Sequence, residues 1–370
     1  MGVARRYQSR ARVWYATARL TVTYISFGGT ADMARLADHY EQLRSEDGCR
    51  RVTFGAGDRP ASWLARKFVA ADGVTGGLAD EGTLVTTGVG MTGPPHLGTL
   101  GQLLTVAQLQ QVGVDTQFVL ADLEPYHGGH SLDEVRRLAE RFRAFAHDCG
   151  IDSESGRLRT QEEARDVMHT AQLLAPDYDG SHWKELEPTA WERRVKQAYE
   201  HSAKEPSNAT SDAAVTHSAV LHLADFVHPL RDGYDRVVLA LGADERGLLP
   251  AARSLLADAP VTGTIAGLHA RMITGLGDTP RMGRSLPRSA IHLGMDESRI
   301  RTRLTEPETD VDEPSESLVF QSMCLASTHD GDQLAELEQA CRENTKLWER
   351  ARARYADFVC DRARAWQATA

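Results

Sequence analysis

The segment "TLVTTGVGMTGPPHLGTLGQLLTVAQLQQVGVDTQFVLADL", starting at Thr83, constrains the fold more than any other part of the chain. "TLVTTGVG" is short and β-branched, which reads as a strand. "MTGPPHLG" is a glycine- and proline-bearing loop. Leu97, Leu100, Leu104 and Ala107 then recur at three- and four-residue spacing, the pattern of a helix with an apolar face, closed by Gly113. "DTQFVLADL" reads as a second strand. Strand, loop, helix, strand is a βαβ unit with a right-handed crossover. "YDRVVLALGADERGLLPAARSLLADA" repeats the theme, with Leu248, Leu249, Ala252, Leu255 and Leu256 as its buried stripe. Two such halves predict an α/β fold built on a doubly wound parallel sheet, which binds ligands at the carboxyl ends of its strands.

The flanking segments are less regular. From Ser131 to about His201 the pattern is helical and charged, and "EPSNATSD" is a polar linker before the apolar helix "AAVTHSAVLHLADFV". A helical insertion over about 131–215 is expected. "LTEPETDVDEPSESL" is an acidic linker. Leu334, Leu337, Cys341, Trp348, Tyr355, Val359 and Trp366 then predict one long final helix, whose outer side carries Arg342, Lys346, Arg350, Arg354 and Arg362. Those cations suit a solvated face or a polyanion contact. The first 31 residues hold five arginines and no acidic residue. A basic tail, a targeting peptide, or a start at Met33 would each look like this. The expected division is an N-terminal extension over 1–80 with about its first 32 residues disordered, a catalytic domain over 81–303, and a linker with a reduced helical C-terminal domain over 304–370.

A formal net charge of −10 argues against bulk nucleic-acid binding, where phosphate neutralisation dominates affinity. The chain has no apolar run of about 18 residues, so no membrane span is expected. The five cysteines are scattered, with no C-x2-C pair, which fits a reducing cytoplasm better than a disulfide scaffold.

Four short stretches carry chemistry. "GPPHLGTL" joins the first strand to the N-terminus of its helix, where unpaired N–H groups attract an anion. His96 and Thr99 add donors there, Gly98 lets a ligand approach the backbone, and Gly90 closes the strand. "VLADLEPY" puts Asp122 and Glu124 at the end of the second strand, suited to a cationic amine. "LGADERG" puts Gly242 and Asp244 at the end of a later strand, where a carboxylate suits a ribose diol. "RMGRS", at Arg281–Ser285, is a basic loop.

In order and spacing these stretches resemble the class I aminoacyl-tRNA synthetases of the tryptophanyl/tyrosyl branch, from about Thr83 to Arg303. "HLGT" stands where that family has His-Ile-Gly-His, and "GADE" where it has Gly-x-Asp-Gln. "ARMITGLGDTPRMGRSLPRSAIHL" is similar to the stretch that contains the family's Lys-Met-Ser-Lys-Ser. The resemblance implies a Rossmann-like, HUP-type nucleotide-binding domain. It implies ATP phosphate and adenosine binding by Gly90, His96, Gly98 and Thr99, ribose binding by Gly242 and Asp244, and a loop of Arg281, Met282, Arg284 and Ser285 closing on pyrophosphate. It assigns the amino acid to Asp122 and Glu124 at its ammonium, and to Thr86, His222, Asp225 and Glu245 around the rest.

The expected activity is ATP-dependent formation of an aminoacyl-adenylate, with tryptophan or a related aromatic substrate, and transfer to tRNA. ATP and Mg²⁺ are the implied cofactors, and a homodimer is expected by analogy. Two alternatives stay open: the same adenylating core with a small-molecule acceptor, and a non-catalytic sensor of ATP or amino acid. The chain departs from the family where Arg281 and Arg284 replace lysines, Gly283 replaces serine, and Glu245 replaces glutamine. Arginine keeps the charge but grips phosphate with a rigid, two-pronged donor set.

Overall fold

The structure is a computed structural model that describes residues 35–370 apart from 47, 154–155, 184–185, 203–210, 278, 285, 287, 309–310 and 312. Ser285, the expected disorder before residue 33, and most of the polar linker lie outside the described residues.

The chain opens with α1 (Leu36–Arg44), β1 (Cys49–Arg50), α2 (Ala61–Lys67) and β2 (Phe68–Asp72). The βαβ unit follows as read: β3 (Thr83–Gly90), α3 (Leu97–Gln110) and β4 (Thr116–Ala121). Gly113, at φ +76°, makes the left-handed turn that lets the chain leave α3. Next come α4 (Leu123–His127), α5 (Leu132–Asp148), β5 (Arg157–Thr160), α6 (Arg165–Leu174), α7 (Ala190–Ser202) and α8 (Asp212–Arg231). The second half supplies β6 (Arg236–Gly242), α9 (Leu248–Asp258) and β7 (Thr264–Ala270), then α10 (Glu297–Thr305), α11 (Leu318–Leu325), α12 (Gly331–Arg342) and α13 (Lys346–Gln367).

The seven strands lie in the order β1-β2-β7-β6-β3-β4-β5. Strands β3 to β7 pair in parallel, whereas β2 runs antiparallel to β7 and β1 antiparallel to β2. The order reverses between β3 and β6, which makes their carboxyl ends the switch-point crevice. Along β6 the side chains alternate between faces. Val237, Leu239 and Leu241 pack with α8 and α9, and Val238 packs on the other side with Val85.

Three expectations change. The stretch from 131 to 215 is not wholly helical, because β5 forms the sheet edge. Its residues alternate, with Leu158 and Thr160 buried and Arg157 and Arg159 half-buried, a period-2 signal hidden among charged helices. The residues before Thr83 are also part of the sheet, through β1 and β2. Finally, the long C-terminal helix is two, α12 and α13, broken at Asn344, whose φ of +47° a helix cannot continue through. Helices α10 to α13 share one hydrophobic cluster with α3 and α5. A Cβ on Gly101 of α3 would come to 3.0 Å from Leu325 Cβ in α11, so a larger residue there would force the two helices to shift by a few tenths of an ångström.

Candidate active site

The adjacent strands β3 and β6 end at Gly90 and Gly242, and the expected nucleotide residues gather around those ends. His96 is the N-cap of α3, and its Nδ1 accepts the Thr99 N–H at 3.3 Å. That bond leaves the ring proton on Nε2, as a donor. Burial, then the nearby Arg284, Arg281 and His292, push His96 down to about 3, so it is neutral at physiological pH. The ring folds over Gly98, where a Cβ would meet His96 Cε1 at 2.8 Å. Gly242 serves Asp244 in the same way, since a Cβ there would meet Asp244 Oδ1 at 2.6 Å. Each glycine thus makes room for the polar side chain of its own motif. Thr99 is buried.

Residues Arg281–Arg284 lie against this crevice. Arg284 donates to the carbonyls of Gly90 at 2.8 Å and Gly93 at 3.0 Å, clasping the β3–α3 turn. Burial, then Arg281, lower Arg284 to about 10, which leaves it cationic. Arg281 pairs with Asp244 and lies 5.8 Å from the Tyr199 ring centre in α7. Met282 is buried in the hydrophobic cluster, and its N–H donates to Ile273 O at 2.8 Å. Ser289 pins the loop: its buried hydroxyl accepts the Gly283 N–H at 3.1 Å and lies 2.9 Å from Gly283 O. The following residues run beside the first motif. Leu97 N–H donates to Ile291 O and Leu293 N–H to Pro95 O, so His96 and His292 form a β-bridge. The two halves of the expected nucleotide site, nearly two hundred residues apart, are joined by backbone hydrogen bonds.

The residues expected at the amino-acid end form a buried polar network. His222 of α8 donates through Nδ1 to Glu124 Oε1 at 2.9 Å. Burial would lower His222, but Glu124, then Asp225 and Glu245, overcome it and raise it to about 9. Glu124 is held below its usual range: burial pushes it up, and His222 outweighs that. Gln161 Nε2 bridges Glu124 at 2.8 Å and Asp225 at 2.9 Å. Arg159 of β5 donates to Asp225 Oδ1 at 2.7 Å and to Gln117 at 3.3 Å, and Gln117 donates to Thr86 at 2.9 Å. Asp122 is spent on structure, accepting through Oδ1 the N–H groups of Leu123, Gln161 and Glu162 at 2.9, 2.9 and 3.2 Å. Burial pushes its carboxyl up in spite of those bonds. Glu245 turns back to accept the Gly242 N–H at 3.0 Å, and its burial raises its pKa.

A family model described as "tRNA synthetases class I (W and Y)" matches residues 80–360. The chain belongs to that family. It is a ligase of the aminoacyl-tRNA synthetase type. Tryptophanyl-tRNA synthetase from the archaeon Aeropyrum pernix aligns at a TM-score of 0.65 and 18% identity, over 89% of this chain and 92% of that one. The Plasmodium falciparum tryptophanyl enzyme gives 0.63 and 15%, over 89% and 93%. Tyrosyl-tRNA synthetase from Archaeoglobus fulgidus, solved with L-tyrosine, gives 0.55 and 16%, over 89% and 99%. At such identities the likeness carries the fold. No curated protein matches the chain. Among the described residues, no helix is long and apolar enough to cross a membrane.

Sequence reasoning missed Gln117, Arg159, Gln161 and Ser289. Gln117 was visible as the one amide in an apolar strand, and Arg159 through the alternation of β5. Nothing in the sequence pointed to Gln161 or to Ser289 as the loop's anchor.

Proposed function

We propose that the protein activates tryptophan or a related aromatic amino acid with ATP and passes the aminoacyl group to tRNA. The observation that carries this reading is the meeting of the two motifs at the strand ends: Arg284 clasps the turn after β3, Arg281 pairs with Asp244 after β6, and Ile291 and Leu293 bond to Leu97 and Pro95. In this arrangement the substrate carboxylate attacks the α-phosphorus of ATP and pyrophosphate leaves. Little proton transfer is needed, so catalysis rests on positioning and on neutralising charge that grows on the phosphates. Neutral His96 donates from Nε2, the first N–H groups of α3 face the anion, and Arg284 supplies fixed positive charge.

Asp244 holds Arg281 through Oδ2, and a ribose diol that takes both carboxylate oxygens displaces that pair. Nucleotide binding therefore releases Arg281 from Asp244 and hands its guanidinium to the triphosphate, which couples ribose recognition to loop charge. At the other end, Glu124 takes the substrate ammonium, oriented by His222 and Gln161. Asp225, held by Arg159 and Gln161, keeps lone pairs for the polar tip of the side chain. Among the described residues, no group of carboxylates at the phosphate end fits a magnesium ion. Mg²⁺ belongs here as the counter-ion that ATP carries, and no step runs through it.

ATP–pyrophosphate exchange against a panel of amino acids tests the reading. Exchange confined to tryptophan or close aromatic relatives is expected. No exchange with any amino acid, with and without tRNA, would overturn it. Charging of total tRNA then tests the acceptor.

A further inference from the structure

Outside the candidate active site, one set of side chains has the makings of a metal centre. We propose that Cys49, Asp72 and His269 form a zinc site that ties β1 and β2 to β7. Each ligand comes from a different strand, and the three strands are neighbours. Cys49 pairs with Asp72, and Asp72 pairs with Gly267, two residues before His269. Side chains two apart on a strand share a face, so the register alone places all three groups together. The side chains agree: one ligand atom from each lies within 4.8 Å of the other two.

The donor set is a thiol, an imidazole and a carboxylate, which suits zinc better than the oxygen-seeking Mg²⁺ or Ca²⁺. His269 is 2% exposed, and its Nδ1 has no hydrogen-bond partner. A buried polar atom left so is costly, and a metal bound at that nitrogen relieves it. Arg253 Nη1 holds Asp72 Oδ1 at 2.9 Å. The remaining oxygen, Oδ2, is 3.9 Å from Cys49 Sγ and faces the centre of the group. Arg253 thus orients a ligating carboxylate, as outer partners do in metal sites. Binding would release the Cys49 thiol proton to solvent. Cys49 is half-buried, which gives the ion a way in and leaves a fourth position to water.

The site would also explain how β1, only two residues long, is kept on the sheet edge. Helix α1 leads directly into β1. It carries His39, whose Nε2 lies 3.2 Å from Ala243 O in the turn that holds Asp244. A metal at the three strands would stiffen the support of that turn from behind.

The test is a titration of the chelator-treated full chain with Co²⁺, followed by displacement with Zn²⁺. A cobalt–thiolate absorption band that saturates at one ion per chain is expected. Zn²⁺ should abolish the band and raise the Tm. Cys49→Ser should lose the band and weaken zinc by more than about tenfold. Cys341→Ser, at a half-buried cysteine elsewhere, should keep both. Asp72→Asn should weaken zinc while the protein stays folded by circular dichroism. No band in the wild type, or a band that survives Cys49→Ser, overturns the proposal. So does a zinc-induced rise in Tm that is equal in Cys49→Ser and the wild type.

Discussion

The two ends of the crevice are built by different means. The proposed nucleotide end consists of strand-to-helix turns and one loop. Its donors are largely backbone or motif side chains, and its glycines make room for them. The amino-acid end is a chain of side chains, from Thr86 through Gln117, Arg159, Asp225, Gln161 and Glu124 to His222, drawn from β3, β4, β5, α4, α8 and the segment after β5. The first can rearrange by swapping one ion pair. The second is interlocked, and the loss of one member leaves buried neighbours unpaired.

That contrast can be broken from either side. Arg159→Ala should be the most damaging change, because Asp225, with its side chain 5% exposed, loses its cation. A fall in stability of about 3–5 kcal/mol in denaturant titrations is expected; a neutral result would mean the network is not load-sharing. Arg284→Ala should leave the fold intact yet slow pyrophosphate exchange by about 10²–10³-fold, the scale for losing one charge-stabilising donor. Its KM for the amino acid should barely move, and an equal loss in both would place Arg284 in substrate binding. Asp244→Asn should weaken ATP by about tenfold or more, as expected for a lost charged hydrogen bond. Arg281→Ala should slow turnover with a smaller loss of ATP affinity than Asp244→Asn, because freeing Asp244 for the ribose offsets the lost triphosphate contact. If Asp244→Asn leaves ATP affinity unchanged, the ribose assignment is lost.

The smallest effect concerns pH. His222 lies at about 9 in the folded chain, against roughly 6.5 for an ordinary imidazole. A raised pKa contributes stability that is complete below about pH 6.5 and is lost as pH rises through 9. The Tm should therefore fall across that window, and His222→Gln should flatten the fall. A parallel decline in both proteins would show that the His222–Glu124 pair contributes nothing measurable.

The same contrast sets what could be read from sequence. β3, α3, β4, β6 and α9 carry apolar periodicity, and β3 and β6 end at glycines, so the switch point and its motifs were legible. β5 was not, because four residues of alternation drown among charged helices. β1, β2 and β7 went unread for the same want of length or polar contrast. Asp122 was read correctly as a strand-end carboxylate, but only three-dimensional packing reveals that it caps the segment holding Gln161. Arg281 was legible as a cation in a loop. Its partner, Asp244, is a contact between distant turns that no local pattern encodes.

Gly101 has a further consequence. It lets α11 sit against α3 with no slack, one turn beyond His96. The close contact puts α11 against the helix whose N-cap is His96. A methyl group at that position would pry α11 from α3, so the seating of the C-terminal helices and the placement of the His96 turn share one tight contact.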